Sequence, residues 1–498
     1  MDLFNNLIFG FGVALSLQNL FYCFIGVLVG TLIGVLPGIG PLGTIAILLP
    51  ITYSVSPVAA MIMLAGIYYG AQYGGSTTAI LVNLPGETSS VVTCIDGYQM
   101  AQQGRAGPAL AIAAIGSFFA GTVGTLLIAL FGPPLADIAL KFGAPEYFAL
   151  MLMGLVAAAV LAQGDMVKSI AMVVMGLLLG IVGTDVNTGV QRFSFGIFEL
   201  TDGIGFIVVA VGVFAVGEII SNLGEPQERR VLSAKVSNLM PSLQDLKQSW
   251  GPIVRGTTLG CFFGVLPGTG PAIASFSSYM LEKKLAKDPD RFGKGAIEGV
   301  AGPEAANNAD AQCKFIPMLT LGLPASGVMA LMLGALTIQG IQPGPQVMTQ
   351  RPELFWGLIA SMWIGNLMLV ILNLPLIGLW VKLLQVPYRL LFPAIMAFSA
   401  IGIFSVNNSS FEIHLTALFG VLGFIWMRLG FPLAPMLLGF VLGPMMEEYL
   451  RRAMLMSGGD PTVFITRPIS AAFIVATVLI LVVMVAPTVR KKREAFTD

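Results

Sequence analysis

The chain has 498 residues, of which 56% are hydrophobic and 10% charged, and its formal net charge is zero. Soluble domains carry about 25% charged residues, so the deficit excludes an ordinary soluble domain, and the neutral balance gives no basic footprint for nucleic acid. Four cysteines without CxxC spacing and a single histidine exclude a disulfide framework and a multi-histidine metal site.

In chain order, residues 1–18 lack the basic region of a cleaved signal peptide and read as a short interfacial or lead-in helix. Residues 26–41 then read GVLVGTLIGVLPGIGP. Gly26, Gly30 and Gly34 form a small-residue ladder suited to close helix packing. Pro37, Gly38, Gly40 and Pro41 end that helix, because Pro has no backbone donor and Gly admits non-helical angles. Next come Tyr73 and the run Gly75, Ser76, Thr77 and Thr78, then Asn83-Leu84-Pro85-Gly86-Glu87. Pro108 to Phe131 is uncharged over 24 residues, long enough to cross a bilayer. Glu218, in the last turns of an apolar segment, reads as interfacial. Gly224 to Ser249 is polar and joins two halves.

Residues 256–271 read GTTLGCFFGVLPGTGP and match residues 26–41 at nine of 16 positions, at an offset of 230. Pro267, Gly268, Thr269 and Gly270 form the second break. A second polar cluster follows it: Glu304, Asn307, Asn308, Asp310, Gln312 and Lys314, then Gly322-Leu323-Pro324-Ala325-Ser326 as an echo of residues 83–86. Lys314 can offset an anionic substrate, but its place beside a long apolar run favours snorkelling to the interface. His414 reads as structural. Pro468 to Pro487 is a last apolar run, and Arg490 to Arg493 form a basic end.

These segments predict an all-α polytopic membrane protein with about 10–12 membrane segments. The expected organisation is an N-terminal repeat over 1–225 with a hairpin tip at 37–41, a polar cytoplasmic linker over 226–250, a C-terminal repeat over 251–489 with a tip at 267–271, and a basic cytoplasmic tail over 490–498. Basic residues flank the second break on both sides, among them Lys247, Arg255, Lys283 and Lys284, whereas no Lys or Arg precedes Arg105. By the positive-inside rule the two re-entrant hairpins therefore point in opposite directions, an inverted repeat. Broken helices at membrane depth are costly unless they line a cavity. Helices starting at Pro41 and Pro271 would aim free N–H groups at a carboxylate, and carbonyls freed at Leu36 and Leu266 would suit Na⁺. The hydroxyls and amides of both clusters complete the expected substrate and ion site.

The Gly34-to-Pro41 motif, the run from Tyr73 to Leu81 and Leu319-Thr320-Leu321-Gly322-Leu323-Pro324 together resemble the large membrane subunit of tripartite tricarboxylate transporters. The resemblance covers essentially the whole chain, except that Cys313-Lys314 stands where small or apolar residues are expected. It implies a bacterial inner-membrane permease driven by a Na⁺ or H⁺ gradient. It also implies a small four-span membrane subunit and a periplasmic solute-binding protein that delivers a di- or tricarboxylate, with no organic cofactor. A channel with re-entrant loops is the alternative. An intramembrane enzyme is remote, since no HExxH, GxGD or Ser/His constellation is present.

Overall fold

The computed structural model describes residues 3–36, 40–162, 165–185, 187–223, 239–383 and 388–485. The basic tail, most of the linker and the first tip residues Pro37, Gly38 and Ile39 lie outside them.

The described residues are mostly helical. The first half contains α1 (Leu3–Ala14), α2 (Leu17–Val35), α3 (Pro41–Leu48), α4 (Pro57–Val82), α5 (Val91–Gln102), α6 (Ala106–Ala139), α7 (Ala144–Leu161) and α8 (Met166–Gly180). A small antiparallel pair, β1 (Gly183–Thr184) and β2 (Gln191–Arg192), leads to α9 (Phe206–Ala210), a π-helical stretch Val211–Val216, and α10 (Gly217–Leu223). The second half contains α11 (Leu243–Val265), α12 (Pro271–Leu285), α13 (Glu298–Cys313), α14 (Phe315–Leu321), α15 (Gly327–Ile338), α16 (Gln346–Gln350) and α17 (Pro352–Asn373). Then follow α18 (Ile377–Leu383), α19 (Tyr388–Asn407), α20 (Ser410–Arg428), α21 (Leu433–Met456), α22 (Val463–Thr466) and α23 (Pro468–Val485). Among the described residues α2, α6, α17 and α20 are long and apolar enough to cross a membrane, and shorter apolar helices accompany them.

Local chemistry sets the boundaries. Ser16 and Ser56 accept from the backbone N–H three residues on and start α2 and α4. Pro41, Pro57 and Pro271 occupy first helical positions, where a missing N–H costs nothing. Ser242 and Asp245 cap each other reciprocally, so α11 starts at Leu243 and the end of the expected linker is helix. Asn83 and Gly322 end α4 and α14 in the left-handed region, each just before a Leu-Pro pair.

α2 lies on α4, and α11 lies on α13. The glycine ladders explain both contacts. A Cβ on Gly26, Gly30 or Gly34 would strike the carbonyls of Met63, Ile67 and Ala71. A Cβ on Gly256, Gly260 or Gly264 would strike those of Gly302, Ala306 and Asp310. Each ladder climbs its partner one turn at a time, as small residues allow when backbones touch. The packing reading of the first ladder is borne out.

The lead-in helix α1 packs on α17: Phe11 stacks on Trp363 at 5.9 Å, and Gly10 abuts the Trp356 carbonyl. Polar clamps hold the periphery. Arg255 grips Glu282 with Nε–Oε1 2.8 Å and Nη2–Oε2 2.5 Å, tying α11 to α12. Arg467 joins Glu146, linking the start of α23 to α7. In the β1–β2 loop, Asp185 accepts from Thr188 and from Arg451 of α21. Its carboxyl is held down at about 2, first by the Thr188 hydroxyl, then by the Asn187 N–H and Arg451.

Candidate functional site

The ends of both breaks line one cavity of about 810 Å³. Gly40 and Pro41 come from the first copy, and Gly268, Thr269, Gly270 and Pro271 from the second. Residues 85–88 and 325–328, at the ends of the two Leu-Pro echoes, form further walls, as do Tyr68, Gln72 and Glu218. The helices α3, α12, α15 and α21 all begin at this cavity. Helix starts offer unsatisfied N–H groups and positive dipole ends, the elementary chemistry of anion binding. Its described lining contains no Lys or Arg but does contain Glu87 and Glu218.

Glu218 corrects an expectation. It is not an interfacial side chain without a partner. Its carboxylate accepts the Gly40 N–H at 3.2 Å and lies over Gly43 in the first turn of α3. The π-helical stretch just before α10 packs against α3 and brings it there. Such bulges recur at functional sites.

The second break is held from several directions. Gly268 has φ +82° and donates its N–H to the Ala325 carbonyl at 2.9 Å, while a Cβ there would lie 2.5 Å from the Ala158 Cα. The Thr269 hydroxyl donates to the carbonyls of Phe263 and Leu266 at 2.6 and 2.8 Å. The Leu266 carbonyl expected to be free for Na⁺ therefore already has a donor. Thr78 does the same for the first break, reaching the Val35 carbonyl at 2.9 Å. Neither Leu36 nor Leu266 is among the described lining residues.

The hydroxyl run is divided by its helix faces. Gly75 packs against Gly86, Glu87 and Ser90, so it provides close approach. Ser76 donates to Glu304 Oε2 at 2.5 Å, and Thr93 donates to the other oxygen, Oε1. Thr77 borders a small separate void with Tyr73, Ser117 and Asn373. Asn83 is exposed and serves as the end of α4 with φ 56°, so its expected place in the site is not where the fold puts it.

On α13, Asn308 is bonded to Ser117 Oγ at 2.7 Å and to the Glu304 carbonyl at 3.0 Å. Asn307 is 1% exposed, and neither of its amide atoms has a partner. Lys314 overturns the snorkelling expectation. It is fully buried at the C-terminal cap of α13 and pairs with Asp310, four residues earlier in that helix. A charge buried alone would be prohibitive, and a hydrogen-bonded pair is the form in which it survives. Glu87 lines the cavity, and Glu304 and Asp310 are fully buried on α13 outside its lining, although their sequence context by itself assigns them no role. The usable signal was that acidic residues inside apolar segments are functional by default.

The sequence pattern of the Tripartite tricarboxylate transporter TctA family matches residues 20–438. The chain is 60% identical over 494 residues to an uncharacterised 52.8 kDa protein from the TAR-I ttuC′ 3′ region of Agrobacterium vitis, covering 99% of this chain and 98% of the relative. It is also 59% identical over 235 residues to an uncharacterised protein from the TAR-II ttuC′ 3′ region of the same organism, covering 47% of this chain and 97% of the relative. No solved structure matches.

Proposed function

Because the chain belongs to the tripartite tricarboxylate transporter TctA family, a family of multi-pass membrane proteins that transport and do not catalyse, we propose that it is the permease subunit of an ion-gradient-driven importer of a di- or tricarboxylate. The convergence of both break ends on one cavity carries this reading. The substrate carboxylates dock on the helix starts at Pro41 and Pro271, where backbone N–H groups replace water without any buried positive side chain. The two acidic lining residues oppose a free anion, so substrate enters with compensating Na⁺ or H⁺, which is symport. The halves, each with a motif-bearing hairpin, act as inverted repeats around this site and alternate access between the two sides. A periplasmic binding protein delivers the substrate, a small four-span subunit completes the assembly, and the linker and basic tail face the cytoplasm of a bacterial inner membrane.

The test is uptake of radiolabelled citrate and related carboxylates by vesicles bearing the chain with its binding protein and small subunit. A Na⁺ or proton gradient is imposed or withheld. Accumulation above the external concentration, lost when the gradient collapses, is expected. Equilibration without accumulation would instead mark a channel. Gly38→Val and Gly268→Val should lose uptake while still inserting, and normal uptake in both would remove the breaks from the site. Cysteine labelling at 54–57 and at 282–287 should come from opposite faces, and labelling from one face would end the inverted arrangement.

A further inference from the structure

One wall of the cavity backs onto a buried ionic cluster that carboxylate binding does not use. Glu304, Asn307 and Asp310 fall along one strip of α13, and Lys314, the residue that caps it, continues the strip, at spacings of three and four residues. Glu87, which lines the cavity, senses the charges of Glu304, Asp310 and Lys314. The Tyr68 hydroxyl senses both Asp310 and Glu87 and stands beside Ser326. This interior holds three carboxylates against one ammonium, and an apolar surround leaves such an excess of negative charge uncompensated only at high cost.

The hydrogen bonds show where the compensation is missing. Both Glu304 oxygens receive hydroxyl donors. Asp310 Oδ2 accepts from the Lys314 ammonium, but its Oδ1 has no partner. Glu87 Oε1 faces only the Gln72 amide, whose Nε2 is otherwise unpaired, and both polar atoms of the buried Asn307 amide have no partner. Buried acceptors left without donors are rare and call for an unseen partner. Here the acceptors are hard oxygens, which suit a hard cation. One monovalent cation reduces the negative excess from two charges to one, and the remaining carboxylate, Glu304, has both oxygens held by hydroxyl donors.

We propose that Glu87, Asp310, Asn307 and the Tyr68 hydroxyl form a seat for one Na⁺ beside the substrate cavity. This rests on the reading of the cavity as the carboxylate site. Lys314 holds one Asp310 oxygen and turns the other toward the ion. The ion in turn offsets Glu87 at the cavity wall, so that a substrate carboxylate meets a neutralised surface. Coupling then follows from placement: the seat and the cavity share Glu87 and Tyr68.

The experiment is equilibrium retention of radioactive Na⁺ by the purified full-length chain in detergent, with ionic strength held by choline chloride and no carboxylate present. Saturable retention is expected for the unaltered chain. Asn307→Leu and Asp310→Asn should each weaken it by about tenfold or more, the scale of losing one metal partner. Thr125→Val, whose hydroxyl is bonded within α6, should bind as the unaltered chain does. Glu87→Gln, outside α13, should also weaken retention and serves if the α13 variants aggregate. No retention by the unaltered chain, proton uptake in place of sodium, or full retention by well-folded Asn307→Leu and Glu87→Gln variants would each overturn the seat. Retention is read without any gradient or substrate. Carboxylate uptake without sodium retention removes the seat and leaves the transport reading standing. Sodium retention without carboxylate uptake does the reverse.

Discussion

The N–H of Gly40 donates to the Glu218 carboxylate at 3.2 Å, joining the start of α3 to a side chain 178 residues further on. The first break is thereby already occupied by an internal carboxylate, at one of the two helix starts where the proposed function docks a substrate carboxylate. The start of α12 at Pro271 has no such occupant among the hydrogen bonds of the described residues. The two halves of the cavity are chemically unequal although their motifs are alike.

Replacing Glu218 tests this competition. Glu218→Ala removes a carboxylate from a helix N-terminus, an interaction of about 0.3–2 kcal/mol. The substrate KM for uptake should fall several-fold at neutral pH. An unchanged or raised KM would mean that the carboxylate helps substrate rather than competes with it.

Gly268 is a position where only glycine fits. Its φ of +82° and the 2.5 Å that would separate an added Cβ from the Ala158 backbone exclude any side chain. Gly268→Ala should lower the thermal midpoint of the purified chain, at a cost of about 1–3 kcal/mol for strain and overpacking. Gly270→Ala, with nothing within 4 Å of the added methyl, should fold as the unaltered chain does. Equal midpoints for the two variants would show that the break relaxes freely.

The Asp310–Lys314 pair is read by a double-mutant cycle. Removing one member of a buried pair strands the other and costs about 3–5 kcal/mol, while replacing both by apolar groups is near neutral. Lys314→Met and Asp310→Leu should each be destabilised in melting experiments, and the double variant should recover most of the loss. A double variant as unstable as the sum of the singles would show that the two charges are not coupled.

The Asp185 loop has a predictable acid response. Its folded carboxyl sits at about 2, below the ordinary aspartate value. A depressed carboxyl contributes stability that is present above the unfolded value of about 3.9 and is lost as pH falls through that value toward the folded one. Thr188→Val removes the leading cause of the depression. The midpoint-versus-pH curve of that variant should show a smaller acid decline that ends at higher pH, and Asp185→Asn should flatten the curve. A Thr188→Val curve superposing on that of the unaltered chain would contradict the assignment.

Much of this architecture was legible in one dimension. The scarcity of charge determined the membrane class, because a bilayer penalises every ion in a helix that faces it. The repeated Gly-Val-Leu-Pro-Gly-x-Gly-Pro run determined where two helices stop, because Pro and Gly act on their own backbone and need no neighbour. The four-residue glycine spacing determined a packing face by the same local rule.

What the tertiary structure decided is which of these local features meet. Lys314 stood next to a long apolar run, and nothing in its immediate sequence distinguishes a lysine that reaches water from one that is enclosed. Packing of α13 against α11, α12 and α6 closed the route to the surface and left Asp310 as its partner. Glu218 and Gly40 lie far apart along the chain, and only the passage of the π-helical stretch over α3 brings them together. Backbone breaks are written residue by residue. Charge pairing and the shared cavity depend on distances through space, which periodicity and composition do not contain.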